Sequence, residues 1–225
     1  MVLVGRGPPW LSHPLRKVVG MWLFSDRCGV CGAQGRSPCG PCARRLPAPP
    51  ALPPPPGLDD LVALFAYEAG GRQLVTALKY HNRRGALSWM GDRLARRLVT
   101  HRAEAVTWVP ASYAGRSRRG FDTGELLARH VARELRLPLR PLLERVANDS
   151  QSARSRSERA DGPAMRARPS VERRLCIGSV VLIDDVSTTG ASLRAGAEVL
   201  RQCGVRHIFG AVAARTPLHA MTGTA

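Results

Sequence analysis

Apolar and polar positions along this chain alternate between two periods, one of strands and one of helices. Residues 61–67 (LVALFAY) and 105–109 (AVTWV) are short apolar runs rich in β-formers, and 180–183 and 208–213 are two more. Unbroken runs of this length read as buried parallel strands. Between them the period lengthens to that of helices. A Gly70-Gly71 turn leads into 72–80, and 85–99 places Leu87, Met90, Leu94 and Leu98 on one face. Residues 123–135 turn Leu126, Leu127, His130, Val131 and Leu135 inward, and a further helix starts at Ala191. Residues 139–146 predict a strand or an extended edge. Residues 148–174 are polar and weakly periodic, which predicts loop with one short helix. Strands alternating with helices imply an α/β fold with a mostly parallel sheet and ligands at the carboxyl ends of its strands.

Four of the six cysteines lie at one end: Cys28, Cys31, Cys39 and Cys42, spaced C-x2-C-x7-C-x2-C. Two tight thiol pairs suit a closed tetrahedral Zn²⁺ site, structural because no coordination position is left open. Cys176 and Cys203 sit in apolar surroundings and read as core. Residues 47–56 hold seven prolines in ten, a semi-rigid spacer. The expected organisation is therefore a short helix at 15–24 and the cysteine knuckle in 1–46, a proline-rich linker in 47–57, and one α/β domain in 58–225.

Charge adds a second constraint. The chain has 225 residues and a formal charge of +17, and of its 34 basic residues only Lys17 and Lys79 are lysines. Such a surface attracts phosphate-rich partners, nucleotides or nucleic acid. No apolar window reaches the length of a membrane span, and the amino-terminal stretch has no cleavage site after a clean apolar core. We therefore expect a cytoplasmic protein without membrane insertion, and oligomerisation is left open.

The chemistry concentrates at 180–192, VVLIDDVSTTGAS. A strand delivers two carboxylates, Asp184 and Asp185, and then a small-residue turn, Val186, Ser187, Thr188, Thr189, Gly190, Ala191 and Ser192. Hydroxyls and the unpaired N–H groups of a helix start form an anion site. Acids just before it suit a ligand bearing both a phosphate and hydroxyls, such as a sugar phosphate.

This segment resembles the 5-phosphoribosyl-1-diphosphate (PRPP) signature of the type I phosphoribosyltransferases. The whole chain resembles the ComF family, which joins that fold to a four-cysteine zinc knuckle. The resemblance runs from the knuckle through LKY at 78–80, VP at 109–110 and RSRRGF at 116–121, then Arg145, Gln151, Glu158 and Arg159, to the signature. It implies that Asp184 and Asp185 hold the ribose hydroxyls while residues 186–192 take the 5′-phosphate. Pro110, Ala111 and Ser112 would face diphosphate, with Mg²⁺ bridging it to the ribose. Arg116, Arg118 and Arg119, flanked by Gly115 and Gly120, would form a basic lid loop or else a solvated run. Lys79 would contact phosphate or simply end a helix. The family is associated with DNA uptake in competence, so the implied activities are phosphoribosyl transfer to an unidentified acceptor or a PRPP-responsive accessory role with DNA or its translocation machinery. Two departures stand out: Asp122 where the family has Asn in RGFNQ, and Asp161 where it favours Asn.

Overall fold

The computed structural model describes residues 27–80, 84–146, 162–169 and 177–217. The helix expected at 15–24, most of the 148–174 stretch, Gln151, Glu158, Arg159, Asp161 and Cys176 lie outside them.

A four-stranded parallel sheet forms the centre, in the order β1-β6-β5-β2, built from β1 (Asp60–Ala66), β2 (Ala105–Trp108), β5 (Ser179–Ser187) and β6 (His207–Arg215). Its register sets Val180 against Ala105 on one side and Ile208 on the other. Val181 and Ile183 enter a core beneath α2 (Ala69–Tyr80), α3 (Ala86–Leu98) and α5 (Thr123–Leu135). Val180 and Leu182 enter a second core beneath α6 (Ala191–Gln202) and Leu143. Both faces of β5 are covered, so its run is apolar at every position, as a parallel strand between helix layers requires. The acid pair then belongs to the strand itself, which continues four residues beyond the expected 180–183.

Three expectations change. The basic stretch is not a loop but α4 (Tyr113–Arg119), begun by Ser112, whose hydroxyl accepts from Gly115 N at 3.1 Å, and ended by Gly120 at φ 72°. A hydroxyl N-cap and a left-handed glycine are the usual ends of a helix, and Gly115 is buried inside it. The 139–146 edge narrows to β3 (Leu143–Arg145), which pairs antiparallel with β4 (Met165–Ala167), a strand the pattern did not announce.

The proline segment is docked rather than spanning solvent. Pro47 O accepts from Ala66 N, and the buried Arg215 guanidinium donates to Leu52 O at 2.8 Å and to Pro53 O. It therefore crosses the carboxyl edge of the sheet and reaches Gly190, where a Cβ would come within 2.6 Å of Pro55 Cγ. At the amino end, α1 (Gly40–Arg44) closes the cysteine knuckle, and Val30 and Leu46 pack against the α2 core.

Candidate functional site

The carboxyl ends of β5 and β2 define the site. β5 carries Asp184 and Asp185 to the sheet edge, and Gly190, at φ 78°, turns the chain into α6. Thr188 and Thr189 are exposed, Thr189 Oγ1 accepts from Ala191 N at 3.3 Å, and Ser187 Oγ is buried with no protein partner. A cleft of about 240 Å³ opens over this loop, lined by Ser187, Thr188, Thr189, Gly190, Ala191 and Ser192 with Arg145, Gly162 and Asp184. Backbone amides at a turn and helix start, with hydroxyls beside them, fit a phosphate group.

A second cleft, of about 200 Å³, lies on the other side of Asp184. Pro110, Ala111, Ser112, Lys79, Arg119, Asp122 and Asp185 line it. Arg145, Asp184, Val186 and Ser192 line both clefts, so the two are contiguous. Lys79 Nζ reaches Asp185 Oδ1, and Arg145 Nε donates to Pro110 O at 2.6 Å. Burial, and after it the Asp185 charge, push the Asp184 carboxyl up to about 8, against the opposing pull of the Asp185 amide, Lys79 and Arg145. Like carboxylates this close do not both ionise freely.

Of the three arginines expected to form a lid, only Arg119 lines the second cleft; its Nε is buried without a protein partner. Arg116 and Arg118 are exposed, and Arg118 stacks over the Tyr80 ring at 5.7 Å. Two residues gain importance. Arg145, carried only by the resemblance, spans both clefts. Asp122 accepts from Glu125 N through Oδ1 at 3.2 Å and from Ala111 N through Oδ2 at 2.8 Å. The sequence held a signal for the first of these bonds, since Asp-Thr-Gly-Glu has the form of a capping box. The departure from Asn matters chemically, because an amide offers one acceptor oxygen where this carboxylate uses two.

Thirty residues or more from these motifs in sequence, Cys28, Cys31, Cys39 and Cys42 bring their four Sγ atoms within 4.8 Å of one another, and all four are free thiols. Cys31 Sγ and Cys39 Sγ are 3.7 Å apart. A tetrahedral Zn(Cys)4 centre with Zn–S bonds of about 2.3 Å has sulfur–sulfur edges of about 3.8 Å, so the donor set fits zinc. Burial raises the Cys28 thiol, yet backbone N–H groups of Cys39, Cys31 and Val30 outweigh it and bring the group down to about 6. Burial, reinforced by the neighbouring thiols, pushes Cys42 up to about 12. Four Sγ atoms in so small a volume form a donor set that suits a metal ion such as zinc. The knuckle rests on the helix that carries Lys79: a Cβ at Gly29 would come 2.9 Å from Leu74 Cδ1 and 3.0 Å from Ala77 Cβ.

A parallel sheet flanked by helices, an acid pair running into a Ser-Thr-Thr-Gly loop at its carboxyl edge, and an amino-terminal four-cysteine cluster together give the α/β arrangement with a metal-type knuckle that the phosphoribosyltransferase-like resemblance implies. Within that class the chain is similar to Competence protein F of Haemophilus influenzae, at 27% identity over 203 residues, 80% of this chain and 81% of that protein. The ComF resemblance drawn from the motifs thus extends along most of the chain. No family model matches it. Among solved structures it is similar to an allosteric regulatory enzyme of purine biosynthesis (TM-score 0.40, 19% identity, 62% of this chain), spanning only 31% of that chain. It is also similar to a purine phosphoribosyltransferase from Pyrococcus horikoshii (TM-score 0.38, 17% identity, 70% of this chain and 79% of that one). Among the described residues no helix is long and apolar enough to cross a membrane.

Proposed function

We propose that this chain binds PRPP with Mg²⁺ and transfers its phosphoribosyl group to an acceptor, in the cytoplasm and in connection with DNA uptake. The observation that carries the reading is the pair of contiguous clefts meeting at Asp184. A ligand with a phosphate at one end, a diol in the middle and a diphosphate at the other matches that order. The loop after β5 takes the 5′-phosphate, and Asp184 and Asp185 accept from the ribose hydroxyls. Arg119, Arg145 and Lys79 face the diphosphate. Transfer breaks the anomeric C–O bond as the acceptor's nitrogen or oxygen bonds to that carbon, and both electrons of the broken bond leave with diphosphate. The side-chain cations stabilise the charge that develops on the leaving oxygens. When bound, Mg²⁺ would supply further positive charge against the diphosphate, on the side of the site where Asp184 and Asp185 stand. On this reading the four-cysteine knuckle and the proline segment brace the α/β domain, with zinc structural.

Calorimetric titration of PRPP with Mg²⁺ into wild type and Asp184→Asn/Asp185→Asn tests this directly. Micromolar binding abolished by the double variant is expected; no binding to folded, zinc-loaded wild type would sink it.

A second reading is favoured by the rim. Tyr80 and Tyr113 are 58% and 87% exposed, and each directly follows a residue lining the second cleft. With exposed Arg116 and Arg118 they offer stacking and phosphate contacts to single-stranded nucleic acid. The chain would then be a PRPP-responsive accessory protein rather than a transferase, and PRPP binding with no diphosphate released, whatever base or nucleic acid is supplied, would separate the two.

A further inference from the structure

The second cleft presents cations to its ligand and yet carries, on its wall, a carboxylate that uses up one of its own amide donors. Asp122 is 6% exposed and links two elements, capping α5 through Oδ1 and holding the 110–112 turn through Oδ2. Asp122 and Ala111 both line that cleft. The Ala111 N–H, which an anion could otherwise recruit, is thus satisfied internally by a carboxylate in the cleft wall. Arg119 lines the same cleft, and its Nε is buried with no protein partner.

We propose that Asp122 is a selectivity-setting residue that weakens the second cleft's hold on diphosphate by competing for the Ala111 amide. This rests on the reading of the second cleft as the diphosphate side of the site. The consequence is chemical. A transferase that holds its leaving group too firmly is inhibited by it, and an internal carboxylate that reclaims the amide favours release. The carboxylate acts on one cleft only, because nothing of residue 122 lines the phosphate-loop cleft.

The test is calorimetric titration of inorganic diphosphate and, separately, of ribose 5-phosphate, at fixed Mg²⁺, into the full chain and its Asp122→Asn and Asp122→Ser variants. Both side chains retain one acceptor oxygen for the helix cap, so thermal melts serve as the check on folding. Diphosphate affinity is expected to rise about tenfold in both variants, equivalent to about 1.4 kcal/mol, while ribose 5-phosphate affinity changes less than twofold. A merely structural role would weaken both ligands or neither. Unchanged or weaker diphosphate binding, with ribose 5-phosphate still bound, overturns this proposal alone. If wild type binds neither ligand, the proposal falls together with the reading beneath it.

Discussion

Lys79 Nζ lies 2.7 Å from Asp185 Oδ1, an ion pair whose side chains are 19% and 15% exposed and which joins the end of α2 to the end of β5. The same helix supports the cysteine knuckle through Leu74 and Ala77. One helix therefore connects a metal-type cluster to the acid pair. Replacing Lys79 with Met keeps the aliphatic stem but leaves Asp185 beside Asp184 without its cation. Breaking a fully buried pair costs about 3–5 kcal/mol; for this partly exposed one, we expect about 1–3 kcal/mol at pH 8 and roughly tenfold weaker PRPP binding. Urea denaturation and calorimetry of Lys79→Met check both, and an unaltered stability would reduce the pair to a surface contact.

Asp184 gives the site a pH signature. Its folded value of about 8 lies well above the value of about 3.9 for an unstructured aspartate. Across that window the native state holds a proton that the unfolded chain has released, so stability falls as pH rises. Asp184→Asn abolishes the titration while keeping the shape. The variant's stability advantage should grow from pH 5 to pH 9 and reach about 1–3 kcal/mol, a modest part of the full shift because the side chain is only half-buried. A gap that stays constant with pH, read from melts across that range, would contradict the assignment.

How far the sequence anticipated this depends on the physics each part uses. Residues 123–135 are a helix with the expected bounds, because period, cap and inward face agree. The acid pair and its loop were legible because their chemistry is local to thirteen residues. The helical state of residues 113–119 was not, although Ser112 and Gly120 are both good terminators. Their charge pattern has no apolar face, so periodicity passed over them. β4 was missed because three residues carry no usable period, and its strand state comes from pairing with β3. The docking of the proline segment depends on Arg215, 162 residues away from Pro53. Arg145 and Asp122 owe their importance to contacts across 35 and 11 residues, which no local pattern encodes.

The cysteine cluster predicts a metal-dependent fold at one end of the molecule. Purified protein should contain about one zinc per chain, and Cys28→Ser should lose most of it, because the buried Cys28 thiol accepts from Cys39 N and anchors the knuckle's interior. Structural zinc contributes directly to folding free energy, so Tm should fall, and chelation of wild type should reproduce that fall. Elemental analysis beside thermal melts decides it. Full zinc content and an unchanged Tm in Cys28→Ser would show that these thiols hold no structural metal.

The contact between Pro55 and Gly190 makes the docked proline segment testable by a double-mutant cycle. Gly190 combines a left-handed φ of 78° with a Pro55 Cγ only 2.6 Å from where a Cβ would stand. Gly190→Ala therefore meets two costs, backbone strain of about 1 kcal/mol and a collision with the pyrrolidine ring. Together they should destabilise the protein by about 2–3 kcal/mol and weaken phosphate binding at the loop. Pro55→Ala removes the ring but leaves the strain. In the Gly190→Ala/Pro55→Ala protein, the loss should be smaller than the sum of the single losses by about 0.5–1.5 kcal/mol, the coupling expected of residues in contact. Urea denaturation of the four proteins measures it. Strict additivity would mean that the segment leaves the phosphate loop in solution, and only the strain at residue 190 would remain to explain the single variant.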